Sequence, residues 1–321
     1  MITRVTQRMM TGRELSQLGQ ASTRMADAQE QMTTGKKLSR PSDGPADTTV
    51  ALKARAGVAQ QTQFQRNADD GQAWLQTIDS ALQSANTQVT RAYTLALQGA
   101  NTATNGQTAE NALADEIDQI KQGLLATANS QYLGRPVFGG TTAGGSAFAQ
   151  AGVTDSSGNP VLDADGNQVQ QVQYVGDSGS VNRRVGPDTV VRVDSNGQSV
   201  FGSTSDGTSP STSVFDALDK LSTALRSSDQ DGIQAGIQAM QDARTRISSA
   251  AADEGARMNQ ITAASNVAGD NKLALQTVQS NVEDIDIAEA TINLETQTTA
   301  YNAALAAISK TSQQSLLDYL A

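Results

Sequence analysis

Apolar residues recur at alternating spacings of three and four along four stretches of the chain. Such a heptad pattern lines up the apolar side chains on one side of an α-helix, and it is typical of helices that pack against other helices. The stretches are Leu75, Ile78, Leu82, Ala85, Val89, Ala92 and Ala96; Leu113, Ile117, Ile120 and Leu124; Val214, Leu218, Leu221 and Leu225; and Ile233, Ile237, Met240 and Ile247. A polar break at residues 101–107 separates the first two. We predict that these seams form the core of a helical bundle.

Proline and glycine set off a middle segment of different character. Residues 1–40, 46–135 and 211–321 contain no proline, whereas 14 of the 27 glycines lie between residues 134 and 207. Because proline interrupts helices and glycine favours turns, the long helices are expected on either side of a turn-rich insert.

The insert contains two dipeptides that are typical of β-hairpin turns, Asp165-Gly166 and Asn196-Gly197. The valines at 190, 191 and 193 precede the second dipeptide, and Val200 and Phe201 follow it. We therefore predict that residues 136–211 form a small β domain whose hairpins turn at these two points.

The first and last forty residues carry further apolar rows. Near the N-terminus, Leu18, Met25 and Met32 repeat every seven residues, and near the C-terminus Ile287, Leu294, Tyr301 and Ile308 do the same. A second C-terminal row consists of Val278, Ile285 and Ile292, and the chain closes with Leu316, Leu317 and Leu320. A helix with two apolar rows needs more partners than one neighbouring helix provides. We predict that the terminal helices become ordered on assembly with other chains.

The charges of the two ends are opposite. Residues 1–40 carry seven cationic and three acidic residues, and residues 281–321 carry one cationic and six acidic residues. Opposite charges on neighbouring helices favour the correct partner and register. The sequence therefore favours pairing of the two terminal helices, while two solvated charged faces remain the alternative.

The composition limits the function further. Only 37% of the residues are hydrophobic and 3% are aromatic, which favours an elongated chain over one with a single large core. The formal net charge of −10 argues against nucleic-acid binding, because phosphate contacts require clustered Lys and Arg. No stretch approaches the length needed to span a membrane, so no membrane insertion is expected. The first eight residues have no apolar core of a signal peptide, so any export is expected to proceed without a cleaved one.

Candidate catalytic chemistry is absent from the sequence. The chain has no His and no Cys, which excludes a Ser-His-Asp triad, His-based zinc motifs and thiolate ligands. The acidic cluster Glu283, Asp284, Asp286 and Glu289 lacks the spacing of a calcium loop, and a solvated helix face is the better interpretation. We expect neither enzymatic activity nor a cofactor or metal.

Two blocks of sequence resemble the flagellin family. The first is Met32-Thr-Thr-Gly-Lys-Lys-Leu-Ser-Arg-Pro-Ser-Asp-Gly-Pro-Ala46, in which a helix is expected to end near Gly35 and Ser42 or Asp43 to cap the next helix. The second is the C-terminal stretch from Asn281 to Ala321. Within the family, the opening Thr6-Gln-Arg-Met-Met10 and the insert segments 174–177 and 190–202 resemble the hook-associated, hook–filament junction members more than filament flagellins.

The resemblance implies a mainly α fold with long, coiled-coil-like terminal helices and a helical rod domain that carries a small inserted β domain. Residues 1–45 and 280–321 would be the terminal assembly helices, 46–135 and 211–279 the rod, and 136–210 the outer β-rich domain. The assembly interface would comprise Val5, Leu18, Met25, Met32, Ile285, Ile287, Ile292, Leu294, Tyr301, Ile308, Leu316, Leu317 and Leu320. A spoke between assembly helices and rod would comprise Gly35, Leu38, Arg40, Pro41, Ser42 and Asp43.

The implied function is a structural subunit that joins the hook of a bacterial flagellum to its filament on the cell exterior. The implied partners are copies of the chain itself, a neighbouring hook-associated protein, flagellin, a cytosolic export chaperone at the C-terminal helix, and the flagellar type III export apparatus. Two alternatives stay open. The chain could be a filament flagellin, or its insert could be an adhesin that binds through Phe138, Phe148, Tyr174 and Phe201.

Overall fold

The computed structural model describes residues 2–101, 106–153, 159–162, 168–204 and 211–320, with the backbone alone at 2–8, 10–11 and 311–320. These residues form seven helices: α1 (Ile2–Thr34), α2 (Pro45–Ala100), α3 (Gln107–Ala128), α4 (Gly197–Phe201), α5 (Val214–Arg226), α6 (Gln230–Glu283) and α7 (Ile287–Leu320). They also form six short strands: β1 (Gln131–Tyr132), β2 (Arg135–Pro136), β3 (Phe148–Gly152), β4 (Gln170–Tyr174), β5 (Asn182–Arg184) and β6 (Val190–Arg192). The mainly helical fold class predicted from the sequence is confirmed.

The chain divides into two units. The first comprises residues 1–61 and 270–321, and the second comprises residues 62–269. Helices α2 and α6 therefore contribute residues to both units.

The heptad seams form the core of the second unit, as predicted. All the seam positions of α2, α5 and α6 are buried, and in α3 only Ile120 is partly buried. Helices α3 and α5 pack against each other and are joined by ion pairs from Lys121 Nζ to Asp219 Oδ1 at 2.5 Å and from Arg226 Nη2 to Asp118 Oδ2 at 2.8 Å. The polar break at 101–107 falls where α2 ends and α3 begins. The seams could be predicted because heptad spacing is a local property of the sequence.

Residues 131–192 form three antiparallel two-stranded ribbons, β1–β2, β3–β4 and β5–β6, of which β1–β2 begins before the predicted insert. Its apolar residues do not form a core of their own. Val137, Phe138, Phe148 and Val172 belong to the same buried cluster as the seams of α2, α3, α5 and α6. The Asp165-Gly166 turn lies outside the described residues, between Leu162 and Gln168, which form an isolated antiparallel bridge.

The predicted hairpin at Asn196-Gly197 is wrong. Asn196 caps α4, because its Oδ1 accepts hydrogen bonds from the backbone N–H groups of Gln198 at 2.8 Å and Ser199 at 3.3 Å. Gly197 approaches other groups so closely that an added Cβ would lie 2.8 Å from Phe148 Cε2. Val200 and Phe201 consequently lie on a helix and not on a strand. An Asn-Gly pair is compatible with both a hairpin turn and a helix start. The helix start found here brings Gly197 into close contact with Phe148, a contact that the local sequence does not reveal.

The aromatic residues of the insert face inward. Phe138, Phe148 and Phe201 are buried, and with Phe215 of α5 they form a cluster whose ring centroids lie 5.2–6.0 Å apart. The pairs of Phe201 with Phe138 and with Phe148 are edge-to-face, an arrangement that contributes to core stability. Three of the four aromatics that the adhesin alternative requires are therefore not available to a ligand on the surface.

The β1–β2 ribbon turns at Leu133 and Gly134, which have φ angles of +49° and +78°. Turns of this type favour Asn-Gly, since side chains other than Asn, Asp and Gly are strained at positive φ. We expect Leu133→Asn to stabilise the second unit by about 1 kcal/mol. Urea denaturation followed by the fluorescence of the single tryptophan, Trp74 of α2, measures this; an unchanged or lower midpoint would contradict it.

Candidate assembly surface

The two terminal helices of the first unit pack against each other. The residues that repeat every seven positions are half-buried on both helices: Leu18, Met25 and Met32 on α1, and Leu294, Tyr301 and Ile308 on α7. Thr291 of α7 lies beside Met32, with its Oγ1 3.9 Å from Met32 Sδ. The half-buried rows fit a two-helix seam, which covers only one side of each helix.

The second C-terminal row, predicted to share one helix with the first, is divided in the structure: Val278 lies on α6, Ile285 between α6 and α7, and Ile292 on α7. Ile292 is 67% exposed and Ile287 is 71% exposed, whereas Ile285 is half-buried. Ile287 was predicted to share the row of Leu294, but it is the first residue of α7 and stays in solvent. Further large apolar side chains of the unit are also exposed, namely Met9, Leu15, Leu52, Leu273 and Leu305. The side chains of Val5, Leu316, Leu317 and Leu320 lie outside the described residues.

A short backbone pairing joins the end of α1 to the start of α7. Helix α1 ends at Thr34, and Gly35 follows with a φ of +67°, a conformation typical of glycine after a helix end. Lys36 and Asp284 then form an antiparallel bridge. The backbone N–H of Lys37 donates to the Glu283 carbonyl at 2.6 Å, and that of Ile285 donates to the Gly35 carbonyl at 3.2 Å. The spoke thus begins as an extended segment held by the connection between α6 and α7.

Glu283 is the centre of the ion pairs at this junction. Its side chain is 1% exposed and accepts hydrogen bonds from Arg55 Nε at 2.7 Å and from Gln279 Nε2 at 3.1 Å, while Lys36 Nζ lies 3.5 Å away. The hydrogen bond from Arg55 is the main cause that lowers the pKa of Glu283. Lys36 also donates to Asp284 Oδ1 at 2.5 Å, which raises the Lys36 pKa and lowers that of Asp284.

The acidic cluster at 283–289 is therefore not a uniformly solvated helix face, as the sequence had suggested. Glu283 is buried in ion pairs, and Asp286 caps α7 by accepting hydrogen bonds from the backbone N–H groups of Ala288 at 2.8 Å and Glu289 at 3.3 Å. Glu283 is buried beside Arg55 and Lys36, which are both more than 200 residues away in sequence. In the described part of the chain, no group of three His, Cys, Asp or Glu side chains is arranged to hold a metal ion.

The rest of the spoke is organised by Asp43. Neither Ser42 nor Asp43 caps α2 as predicted. Asp43 Oδ2 instead accepts hydrogen bonds from the backbone N–H groups of Ser39 at 3.1 Å and Arg40 at 2.8 Å, and these bonds lower its pKa. Helix α2 begins at Pro45, a residue favoured in the first helical position because its missing N–H would have no helical acceptor there.

Three other spoke residues differ in their environment. Leu38 is half-buried, and a Cβ added at Gly44 would lie 3.1 Å from its Cδ2. Pro41 and Arg40 are exposed, although Arg40 Nη2 lies 3.4 Å from Glu30 Oε2. The spoke therefore has one apolar anchor and an otherwise solvated surface.

We expect Glu283→Gln to destabilise the first unit by about 1–2 kcal/mol at pH 7, because it weakens charge-assisted hydrogen bonds to partners that remain partly solvated. A carboxyl with a lowered folded-state pKa stabilises above its unfolded pKa, and this stabilisation is lost as the pH falls through the folded pKa. The stabilities of the variant and the wild type should therefore become equal in acid.

Circular dichroism and Trp74 fluorescence together measure this change, since Trp74 lies in the second unit and reports that unit alone. The helical signal of the variant should melt earlier with an unchanged fluorescence transition. Glu295→Gln, an exposed change on α7, is the matched control. Equal melting of both variants would show that Glu283 contributes no more than a surface charge.

No helix among the described residues combines the length and the apolar character needed to cross a membrane.

Family models match both ends of the chain. "Bacterial flagellin N-terminal helical region" matches residues 5–143, and "Bacterial flagellin C-terminal helical region" matches residues 237–320. The chain belongs to the flagellin family. The two matches together cover more than half of the chain and include most of α1 and all of α7.

Flagellin relatives match over part of their length. The chain is 28% identical over 122 residues to a flagellin of Clostridium tyrobutyricum, a match covering 38% of this chain and 32% of the relative. It is 31% identical over 102 residues to a flagellin of Salmonella typhimurium, which covers 32% of this chain and 20% of the relative. The matched segments thus span a third or less of these flagellins.

Solved structures share the fold at low identity. A putative flagellar hook-associated protein of Vibrio parahaemolyticus is similar with a TM-score of 0.63 at 18% identity, covering 75% of this chain and 100% of that one. FlgL of Xanthomonas campestris is similar with a TM-score of 0.57 at 18% identity, covering 71% and 99%. The flagellar junction protein FlgL of Legionella pneumophila has a TM-score of 0.56 at 15% identity, covering 73% and 100%. This flagellin-family chain therefore has the fold of these proteins over most of its length.

Proposed function

We propose that this chain is a structural subunit of the bacterial flagellum that joins the hook to the filament and assembles through its paired terminal helices. The exposed apolar residues of α7 carry the proposal, since a helix that packs on α1 and still exposes Ile287 and Ile292 retains apolar surface for another chain. The likeness in fold to hook-associated and junction proteins supports the position at the hook–filament junction. The function is structural and not enzymatic.

The proposal also assigns a role to each segment of the chain. Residues 1–45 and 280–321 form the assembly helices, 46–135 and 211–279 the rod, and 136–210 the outer segment. The predicted interface residues on α1 and α7 contact neighbouring chains in the assembled structure. The half-burial or exposure of those whose side chains the structure describes supports this role, because a side chain that is only partly covered can still bury area against a neighbour.

The proposed partners are copies of this chain, a hook-associated protein on one side and flagellin on the other. Before assembly, an export chaperone covers the apolar rows of the C-terminal helix in the cytosol, and the flagellar type III apparatus exports the chain to the cell exterior without a cleaved signal peptide. The exposed apolar side chains of α7 support the need for a chaperone, since such surfaces promote aggregation in a free chain.

Deletion of the gene tests the proposal, with electron microscopy of the cells and immunoblotting of the medium for flagellin. We expect hooks without filaments and flagellin released into the medium. Bare hooks without released flagellin would indicate the second candidate, a filament flagellin, which the match to flagellin relatives favours. Normal filaments would contradict both.

A further inference from the structure

The tip of the β1–β2 hairpin exposes a leucine in a conformation that leucine disfavours. Leu133 is 82% exposed and has a φ of +49°. The hairpin itself is anchored on α2, because Tyr132 packs on Trp74 with a ring-centroid separation of 5.4 Å and its hydroxyl lies 3.2 Å from Asp70 Oδ1. The exposed Leu133 side chain is therefore held at the tip of a hairpin that its own chain fixes in place, where it is accessible to another molecule.

A groove elsewhere in the same unit is suited to receive such a side chain. It lies along α5 and the first part of α6 and has a volume of about 660 Å³. Small residues line it: Ala217, Ala224, Gly232, Ala235, Gly236 and Ala239. The side-chain space at Gly232 and Gly236 is filled, since an added Cβ would lie 2.6 Å from Asp229 Oδ2 and 2.6 Å from Leu221 Cδ1, respectively. Room for a branched apolar side chain lies beside the alanines at 217, 235 and 239.

The groove and the hairpin carry complementary charges and hydrogen-bonding groups. The groove contains four aspartates, of which Asp219 already pairs with Lys121 and Asp216 accepts hydrogen bonds from Gln171 and Ser211. Asp229 and Asp242 remain exposed, and hairpin residues 131–136 contain Arg135 and no acidic residue. The buried Nε of Arg246 has no hydrogen-bond acceptor in the described part of the chain. The carbonyl groups at the hairpin tip lie beyond the Tyr132–Arg135 pair and can serve as that acceptor.

We propose that the Leu133 hairpin of one copy inserts into the α5–α6 groove of a second copy. Leu133 occupies the space between the small residues, the Leu133 or Gly134 carbonyl accepts a hydrogen bond from Arg246, and Arg135 faces the aspartates. The hairpin and the groove are different surfaces, so the contact is heterologous and can continue from copy to copy around a ring. The inference deepens the proposed function, on which it rests, by naming a contact between neighbouring copies outside the terminal helices.

Disulfide cross-linking tests this contact without interference, because the chain has no cysteine of its own. Leu133→Cys and Ala235→Cys chains, one of them carrying a mass tag, are purified, mixed and oxidised. We expect tagged–untagged dimers to exceed the dimers that either variant forms alone. Leu162→Cys mixed with Ala235→Cys is the matched control, since Leu162 is an exposed leucine on another part of the insert. Equal yields from the Leu133 and Leu162 mixtures would overturn the proposal.

Sedimentation of the concentrated full chain provides a second measurement. Leu133→Asn, which suits the turn, should shift the chain toward monomer, and Leu162→Asn should not. An unchanged sedimentation profile of Leu133→Asn beside a self-associating wild type would also overturn the contact. These outcomes are separable from the deletion experiment: a junction phenotype without cross-links refutes only the contact, and cross-links without a flagellar phenotype refute only the proposed function.

Discussion

Replacement of Ile292 by aspartate is expected to abolish assembly of the chain into the flagellum while leaving the free chain folded. Ile292 is 67% exposed on α7, so a carboxylate there remains solvated in the single chain. In the assembled structure the same carboxylate would be buried against a neighbouring copy, at a cost of several kcal/mol for an unpaired charge. Because each copy would repeat the penalty, cells carrying Ile292→Asp should lose their filaments and their motility.

Two variants on the same helix make this result specific. Asn293→Asp introduces the same charge one residue away at an exposed polar position, and filaments should persist. Leu294→Asp instead changes the half-buried row that faces α1, and it should lower the helical content of the purified chain as well as abolish assembly. Circular dichroism of the monomers and electron microscopy of the cells separate the three cases. Normal filaments in Ile292→Asp cells would remove the exposed row from the interface.

Replacement of Glu254 by glutamine is expected to stabilise the second unit above neutral pH by about 3 kcal/mol. Glu254 of α6 is 2% exposed, and its Oε1 has no hydrogen-bond partner in the described residues. Burial raises the pKa of Glu254 to about 7, and the negative charges of Asp79 and Asp194 add to this effect. Arg257, whose Nη1 lies 3.7 Å from Glu254 Oε2, and the more distant Arg192 oppose it.

The sign of the pH dependence follows from the direction of this shift. A carboxyl whose folded-state pKa is raised must be ionised at a cost within the fold, so the stability of the wild type declines as the pH rises from about 4.5 to about 7. Glutamine keeps the shape and removes the ionisation. The free energies of unfolding of the wild type and Glu254→Gln should therefore be equal in acid. Their difference should grow up to about pH 7 and stay constant above it.

Urea denaturation followed by Trp74 fluorescence at several pH values measures the effect. Asp253→Asn is the matched control, because it removes one negative charge from the adjacent, exposed position. The control should change stability little and without a trend in this pH range. A Glu254→Gln difference that does not depend on pH would show that the carboxyl stays ionised in the fold.

Features with a local cause could be predicted from the sequence. The spacing of Leu75, Ile78 and Leu82 marks a buried helical seam whatever the seam packs against, and all three are buried. The end of α1 was also predictable, since Gly35 adopts the positive φ that ends helices. Pairing of the terminal helices was inferred from opposite charge, and α1 and α7 do pack together. The cross-end ion pairs among the described residues, however, gather at Lys36 beside α7.

Features that depend on distant partners could not be predicted. Asn196-Gly197 has the composition of a hairpin turn, and only the approach of Phe148 to Gly197 shows that it starts a helix. Asp43 could equally have capped α2, yet its carboxylate bonds the backbone of Ser39 and Arg40. In both cases one side chain has two locally acceptable roles, and the surrounding chain selects between them.

The long helices, their buried seams and the turn-rich insert follow from the sequence, because helical periodicity and chain breaks are encoded by residues within a few positions of each other. The break between α6 and α7, and the choice of which apolar residues of α7 pack on α1, depend on the tertiary structure. The tertiary structure also buries Glu283 beside Arg55 and Glu254 near Asp194. The burial of a charge and the covering of a helix face depend on groups brought together from distant parts of the chain, and no local pattern specifies them.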